Sequence, residues 1–187
     1  NAVSVGNLTM VFMARVRKMK GVDEIFDTIN AMKRKYGASF SIDFYGPVFE
    51  EDRAYFEEQI ELIDEATYKG ELEPSSIYET LSKYDILLLP TKYFTEGFPG
   101  SILDAYISGI PVIVSDWKSA KEFVEHEVSG LICEWDSQAD FEAQLDRVYN
   151  DRLLLKRMKT GAYNHSKKYS VNKAMNLLES FFTDKNN

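Results

Sequence analysis

The segment Gly97-Phe98-Pro99-Gly100-Ser101 has the residue types of an anion-binding loop. An apolar pattern with helical spacing follows it from Ile102, and Pro99 lies near the first turn of the predicted helix. Glycines at such a position let a ligand approach the backbone closely, and the unpaired N–H groups of a helix N-terminus favour a negative group. The segment therefore predicts a site for a phosphorylated ligand near residues 97–101.

Two carboxylates flank this loop. Glu96 directly precedes it, and Asp104 lies inside the predicted helix. A carboxylate beside an anion-binding loop can accept hydrogen bonds from sugar hydroxyls, and one that lies a turn inside the helix can bind a ribose diol. A hydrolase acid/base pair and a metal site are the alternatives. We predict no metal site, because no histidine joins the two carboxylates; His126 and His165 are both predicted to lie on the surface.

A basic cluster at residues 15–20, Arg-Val-Arg-Lys-Met-Lys, follows the first predicted strand. Because it begins where this strand ends, Arg15 and Lys20 are expected at the ligand side of the sheet. A diphosphate requires such partners, with arginine as a planar fork and lysine as a mobile point charge. A solvated surface is the alternative interpretation. The stretch contains neither G-x-G-x-x-G nor G-x-x-x-x-G-K-[ST], which are the fingerprints of dinucleotide-binding Rossmann domains and of P-loops.

Two short apolar runs indicate buried strands on either side of the glycine-bearing loop. Ile86–Leu89 is too short to span a membrane and ends at Pro90, while Val112–Val114 follows a second proline. Strands alternate with helices along the chain, which predicts a three-layer α/β/α, Rossmann-like domain with a mostly parallel sheet of about six strands. Ligands bind beyond the C-terminal ends of the strands in such sheets. The predicted strands are 8–13, 39–45, 66–68, 86–89, 112–114 and 130–134.

The helical patterns lie between and after these strands, and no internal repeat is evident. We predict a single domain over residues 1–187. Its last segment, 170–187, is predicted to be a C-terminal helix that covers the sheet or packs on a domain outside this chain. The predicted helices are 22–36, 53–63, 74–84, 102–107, 120–125, 139–149, 153–168 and 171–182.

Composition narrows the class of protein. The 187 residues, 44% of them hydrophobic, suit one globular domain, and the net charge of -8 argues against a nucleic-acid-binding surface. The only cysteine, Cys133, lies in an apolar run and is predicted to be buried, which makes a reducing cytoplasm the expected compartment. We recognise no signal peptide and no long apolar run. The start at Asn1, close to the first strand, suggests a piece of a longer protein.

Several short motifs occur in a fixed order along the chain. They are Arg15 to Gly21, Tyr68-Lys69-Gly70, Asp85 to Pro90, Glu96-Gly97-Phe98-Pro99 with Asp104-Ala105, Gly109 to Ile113 and Ser129-Gly130-Leu131. Retaining glycosyltransferases have similar motifs in this order. Over roughly residues 8 to 182 the chain resembles the C-terminal, nucleotide-sugar donor-binding domain of GT-B enzymes of family 4, which implies the C-terminal half of a GT-B enzyme.

The resemblance implies roles for individual residues. In the family, the residues that match Arg15 and Lys20 hold the donor diphosphate and stabilise charge on the leaving group. The residue that matches Glu96 contacts hydroxyls of the donor sugar, so these three are the predicted catalytic residues. Backbone amides that face the sugar and the phosphates are expected at Gly97, Phe98, Gly100 and Ser101.

Other positions match the family less closely. Asp104 stands where the family usually has glutamate, and it is expected to bind the ribose hydroxyls. The segment from Lys69 and Gly70 to Leu72 is expected beside the nucleotide base. A Gly-Gly pair that many members have after the fifth strand is replaced here by Trp117–Ala120, so this loop is expected to have a different shape.

The implied function is transfer of a sugar from a nucleotide donor to an acceptor with retention of configuration, without a metal ion or another cofactor. A UDP-sugar is expected rather than a GDP-sugar. The acceptor, a saccharide or a lipid-linked saccharide, is expected to bind an N-terminal domain outside this chain, so the chain alone is expected to transfer little or no sugar. An epimerase of related architecture and a non-catalytic nucleotide-sugar-binding module remain the alternatives.

The family resemblance also implies a cellular setting. Many members build cell-surface polysaccharide, which implies a cytoplasmic protein at the inner face of a membrane, with peripheral membrane association of the full-length enzyme and no nucleic-acid partner. The apolar face of the last predicted helix, at 171–182, is expected to pack within the protein, with membrane contact as the alternative.

Overall fold

The computed structural model describes residues 7–37 and 39–169 and contains six strands in that part of the chain. Their order in the sheet is third, second, first, fourth, fifth, sixth, and every neighbouring pair is parallel, so the predicted mostly parallel sheet is wholly parallel here. The α/β Rossmann-like architecture is confirmed. The strands are β1 (Leu8–Met13), β2 (Phe40–Tyr45), β3 (Ala66–Tyr68), β4 (Ile86–Leu89), β5 (Val112–Ser115) and β6 (Gly130–Cys133).

Seven α-helices in the described residues accompany these strands, and short 3-10 turns occupy residues 18–20, 50–52, 74–76 and 167–169. Residue 39 was predicted to begin the second strand, but β2 begins at Phe40. The helix predicted over 74–84 is shorter, since a 3-10 turn occupies 74–76 and the α-helix ends at Leu81. Tyr84 instead turns toward the sheet and donates a hydrogen bond to Asp43 over 2.6 Å. The helices are α1 (Val22–Tyr36), α2 (Arg53–Leu62), α3 (Ile77–Leu81), α4 (Gly100–Ile107), α5 (Ala120–Phe123), α6 (Gln138–Asn150) and α7 (Arg152–Ser166).

The sheet reverses its order between β1 and β4. From β1 the chain adds strands on one side of the sheet, and from β4 it adds them on the other. Right-handed crossovers then place α1 and α4 on opposite faces, which leaves a crevice beyond the C-terminal ends of β1 and β4. The basic cluster follows β1 and the glycine-bearing loop follows β4, so both predicted parts of the site meet at this crevice.

Buried aromatic rings fix β1 and α1 relative to each other. Phe26 of α1 packs against Phe44 of β2 with ring centroids 5.0 Å apart, and Phe12 of β1 contacts the same ring at 5.6 Å. Phe56 of α2 joins this cluster, and all four side chains are fully buried. The cluster anchors both ends of the basic segment at residues 15–20, because β1 precedes the segment and α1 follows it.

The interior contains two titratable side chains, Cys133 and His165, of which only the first was predicted to be buried. Cys133 is buried as predicted, and burial raises the pKa of its thiol to about 12. His165, predicted at the surface, is only 6% exposed and lies edge-on to Tyr106, with ring centroids 5.3 Å apart. The prediction of a surface position was therefore wrong, and the imidazole packs within the protein as part of the buried face of α7. Burial also lowers the pKa of His165.

The predicted C-terminal helix over 170–187, including its apolar face, lies outside the described residues. Among the helices of residues 7–37 and 39–169, none has the length and hydropathy that crossing a membrane requires.

Candidate functional site

A cleft of about 700 Å³ lies at the C-terminal ends of β1 and β2 and beside the N-terminus of α4. Its lining comes from segments far apart in sequence, which the reversal of strand order brings to the same edge of the sheet. Seven of the ten predicted site residues line it, while their roles toward a ligand stay predictions. These seven are Arg15, Lys20, Glu96, Gly97, Gly100, Ser101 and Asp104.

The other three predicted residues do not line the cleft. The ammonium group of Lys69 lies 3.8 Å from a carboxylate oxygen of Asp43, and its neighbour Gly70 likewise stands outside the lining. The following residues, Glu71 and Leu72, line the cleft instead. The ring of Phe98 stacks on Phe123 with centroids 4.4 Å apart, so this side chain anchors the loop to α5. In the segment from Lys69 to Leu72, only the second half lines the cleft, and its contact with a nucleotide base stays a prediction.

Lys20 and Glu96 form an ion pair in the cleft. The lysine ammonium contacts Oε2 of Glu96, and the two side chains are only 18% and 15% exposed. The hydroxyl of Thr91, itself buried, also hydrogen-bonds Oε2 of Glu96 over 3.1 Å and accepts the backbone N–H of Tyr93 over 3.2 Å. Glu96 is thus held from two sides, by a cation from the β1 loop and by a hydroxyl from the β4 loop.

The loops after β1 and β4 are packed directly on each other. The backbone N–H of Lys92 donates to the carbonyl of Met19 over 3.0 Å. Gly21 has φ +81°, and a Cβ atom built there would lie 2.1 Å from the carbonyl oxygen of Pro90. Only glycine permits both this conformation and this approach. The Lys20–Glu96 pair therefore depends on a close backbone contact next to it.

The N-terminus of α4 opens into the cleft. Pro99 is its N-cap residue with φ -65°, and no side chain caps the helix there. Nothing within 4 Å would contact a Cβ atom at Gly97 or Gly100, so the space beside both backbones is open. Uncapped N–H groups beside open space are the arrangement that binds an oxyanion.

Asp104 lies one turn inside α4 and lines the same cleft. Burial raises the pKa of its carboxyl group, and a hydrogen bond from Tyr78 opposes this in part. The carboxylate therefore faces the cleft from a position partly withdrawn from solvent, where a hydrogen-bond donor would stabilise it.

Sequence reasoning did not select Arg17 or Tyr93, which also line the cleft. Arg17 belonged to the recognised basic cluster but was not selected from it. The available signal was spacing: Arg15 and Arg17 flank Val16, which is fully buried and bridges Val48 as in a parallel strand. Alternate residues of an extended segment point to the same side, so Arg17 follows Arg15 into the cleft.

In residues 7–37 and 39–169, no group of three His, Cys, Asp or Glu could hold a metal ion.

Glu24 lies behind the cleft, in the first turn of α1. Lys92 bridges the β4 loop to this turn, with its ammonium 2.8 Å from Asp23 and 3.1 Å from Glu24. Burial raises the pKa of Glu24 to about 7, although Lys92 acts in the opposite direction. Ionisation of Glu24 is therefore less favourable in the folded protein than in the unfolded chain.

We expect this carboxyl group to make stability depend on pH. The pKa of Glu24 is 4.5 in the unfolded chain and about 7 in the folded protein, so the folded state binds more protons between these two pH values. The free energy of unfolding therefore falls as the pH rises through this interval. The Glu24→Gln variant should lack this decrease in the free energy of unfolding, which is on the order of 2 kcal/mol. Urea unfolding at pH 4.5 and at pH 7 measures it, and substitution of an exposed glutamate, Glu58→Gln, is the control. Equal pH dependence of the wild type and Glu24→Gln would contradict the assignment.

The chain has relatives among curated proteins, and it spans less than half their length. An N,N'-diacetylbacillosaminyl-diphospho-undecaprenol alpha-1,3-N-acetylgalactosaminyltransferase from Campylobacter jejuni is 25% identical over 163 residues, which are 87% of this chain and 41% of the relative. The amylovoran biosynthesis glycosyltransferase AmsK from Erwinia amylovora is 28% identical over 138 residues, which are 71% of this chain and 34% of the relative.

Solved structures share the fold, and a family model matches the sequence. The C-terminal domain of the glycosyl transferase group 1 protein LpcC from Francisella tularensis has a TM-score of 0.76 at 21% identity, covering 89% of this chain and 88% of that one. Anabaena HepE in complex with UDP has a TM-score of 0.80 at 17% identity, covering 95% and 49%. The model of the glycosyl transferases group 1 matches residues 2–165. The chain therefore belongs to the glycosyl transferases group 1 family.

Proposed function

We propose that this chain is the donor-binding domain of a glycosyltransferase that takes a sugar from a nucleoside diphosphate and transfers it with retention of configuration. The observation that carries the proposal is the convergence of Arg15, Lys20, Glu96 and the start of α4 on one cleft. Solved structures of similar fold support it, since HepE was crystallised with UDP-glucose and a pneumococcal O-GlcNAc transferase with UDP and GlcNAc. A uridine nucleotide is accordingly the proposed donor, and family membership does not favour an epimerase.

The proposed chemistry concentrates charge at the leaving group. Breaking the bond between sugar and phosphate leaves negative charge on the nucleoside diphosphate, and cations placed beforehand stabilise that charge most in the transition state. Arg15 and Lys20 supply the cations, and the uncapped N–H groups of α4 supply further donors. No metal ion takes part in this proposal, because groups of the chain itself provide the positive charge.

In the structure the charge of Lys20 is already neutralised by Glu96. We infer that the donor exchanges these partners: the diphosphate replaces Glu96 at the lysine, and the freed carboxylate accepts hydrogen bonds from the sugar hydroxyls. The exchange keeps the partly buried lysine paired before and after binding, which avoids the cost of an isolated buried charge. Glu96 then contacts the sugar only when a diphosphate is present.

The acceptor part of the reaction lies beyond this chain in the proposal. An N-terminal domain is proposed to hold a saccharide or lipid-linked acceptor. The name of the Campylobacter relative includes a saccharide linked to undecaprenol through a diphosphate. This chain alone is then inactive in transfer. A role in cell-surface polysaccharide synthesis, in the cytoplasm at the inner face of a membrane, completes the proposal and agrees with the amylovoran assignment of a second relative.

Nucleotide titration of the purified chain tests the proposal. We expect UDP to bind more tightly than GDP, and uridine to bind at least about 100-fold more weakly than UDP, because charge-assisted hydrogen bonds to the diphosphate contribute a few kcal/mol. Isothermal titration calorimetry measures all three affinities. Equal affinity for uridine and UDP would contradict the proposed contact between the cleft and the diphosphate. If none of the nucleotides binds, the proposed function is wrong.

A further inference from the structure

Arg17 presents a second guanidinium group to the cleft. Its backbone is extended, with φ -161° and ψ 154°, and the preceding Val16 is fully buried. The segment is fixed because the N–H of Val16 donates to Pro47 over 2.9 Å and its carbonyl accepts the N–H of Phe49 over 2.9 Å. Arg17 and Arg15 therefore leave the same side of a rigid segment, and both line the cleft.

Two aromatic rings hold the Arg17 side chain. Its guanidinium carbon lies over the ring of Phe49, 4.3 Å from the centroid, and 5.4 Å from the centroid of Tyr93. Lys20 contacts the same Tyr93 ring at 5.1 Å, so the two cations are neighbours in the cleft. Aromatic faces stabilise the guanidinium and restrict its rotamers, while its in-plane N–H groups stay available to a planar or tetrahedral oxyanion.

The charge of Arg17 has no carboxylate partner among residues 7–37 and 39–169, whereas Lys20 and Lys92 are both paired there. The Nε atom of Arg17 is buried and makes no hydrogen bond in this part of the chain. A fixed, partly buried cation that lacks a counter-charge costs free energy in the folded protein. An anionic ligand in the cleft would recover that cost.

From these contacts we propose that Arg17, clamped between Phe49 and Tyr93, is an anion-binding residue that takes the oxygens of a phosphate group. The inference rests on the proposed function, because the phosphate group would come from a substrate of that reaction. Two sources can supply the oxyanion: the diphosphate of the donor, or a separate phosphate group that belongs to the acceptor. In the first case Arg17 and Lys20 bind the same diphosphate across the Tyr93 ring.

Paired titrations of the chain distinguish these sources. The first measures UDP affinity of the wild type, Arg17→Ala and Arg17→Lys by calorimetry. The second adds inorganic phosphate to the UDP-saturated proteins and follows NMR chemical shifts of the cleft residues. Lys18→Ala is the matched control, since Lys18 belongs to the same segment and lies over the Tyr55 ring at 4.1 Å but does not line the cleft. Thermal unfolding confirms that each variant is folded.

If the donor supplies the oxyanion, Arg17→Ala weakens UDP binding by about tenfold or more and Arg17→Lys by less, because lysine keeps the charge but not the fork. If the acceptor supplies it, UDP affinity is unchanged, and phosphate binds the UDP-saturated wild type but not Arg17→Ala. Unchanged UDP affinity together with equal phosphate shifts in both proteins overturns the inference. Failure of the wild type to bind UDP overturns the proposed function first, and the inference with it.

Discussion

Lys20→Ala in the full-length enzyme lowers the turnover number by about 10²–10³-fold, the effect of removing one preorganised group that stabilises a developing anion. Two effects add in this variant. The departing diphosphate loses a cation, and Glu96, whose side chain is only 15% exposed, loses its ion-pair partner. We expect the turnover number to fall more than the Michaelis constant for the donor rises, because charge on the leaving group develops in the transition state.

Steady-state kinetics with varied donor concentration measure this effect. Lys69→Ala is the matched control: the family resemblance assigned Lys69 to the substrate, but the structure places it outside the cleft lining, near Asp43. Its expected effect on turnover is small. A Lys20→Ala variant with unchanged turnover and a raised Michaelis constant would restrict Lys20 to ground-state binding, and an equal loss in both variants would contradict the geometry of the cleft.

A double-mutant cycle separates the two effects. Glu96→Gln alone removes the carboxylate that we propose to contact the sugar, while Lys20→Ala alone also leaves that carboxylate unpaired. Because the two residues contact each other, the losses should not add, and the double variant should lose less than the product of the single losses. Multiplicative losses would show that the ion pair has no part in the reaction.

The sequence predicted the parts of this site that depend on local pattern. The strands Leu8–Met13 and Ala66–Tyr68 and the helix Val22–Tyr36 have the predicted bounds, because glycine or a polar residue adjoins the apolar pattern at five of these six ends. The loop at residues 97–101 was found for the same reason, since glycine and proline interrupt regular structure locally, proline by fixing φ and glycine by permitting conformations that other residues avoid. A parallel sheet then places the loops after β1 and β4 side by side.

Contacts between distant segments could not be predicted in the same way. Lys20 and Glu96 were both assigned to the substrate, but their pairing with each other depends on a backbone approach between Gly21 and Pro90. The clamp on Arg17 has the same origin, because Phe49 and Tyr93 come from two other loops. No local pattern in the sequence records which aromatic ring faces which cation.

One error had a signal in the sequence. His165 lies in a polar stretch, but it continues the buried face of α7 through Met158 and Ala162 at helical spacing. The different loop shape expected for Trp117–Ala120, which replaces a glycine pair common in the family, stays a prediction. Trp117 is buried, and the N–H of Lys118 donates to the carbonyl of Phe94 over 2.9 Å, so this segment braces the β4 loop from behind.

Gly21→Ala should destabilise the protein more than any exposed substitution near the cleft. The backbone there has φ +81°, which costs an alanine about 1–2 kcal/mol. The new Cβ atom would also lie 2.1 Å from the carbonyl oxygen of Pro90, so one of the two loops must move, at a further cost of about 1–3 kcal/mol. With roughly 2–4 °C per kcal/mol for a chain of this size, the melting temperature should fall by about 4–20 °C.

Gly109→Ala separates the two costs of this substitution. Gly109 has a similar φ of +73°, but nothing lies within 4 Å of a Cβ atom built there, so this variant has the conformational cost without the clash. We expect the smaller decrease in melting temperature for Gly109→Ala and no change in its UDP affinity. Gly21→Ala should lose UDP affinity even below its melting temperature, because separation of the two loops displaces Lys20 from the lining of the cleft. Equal melting temperatures of the two variants would show that the loops do not depend on close packing at Gly21.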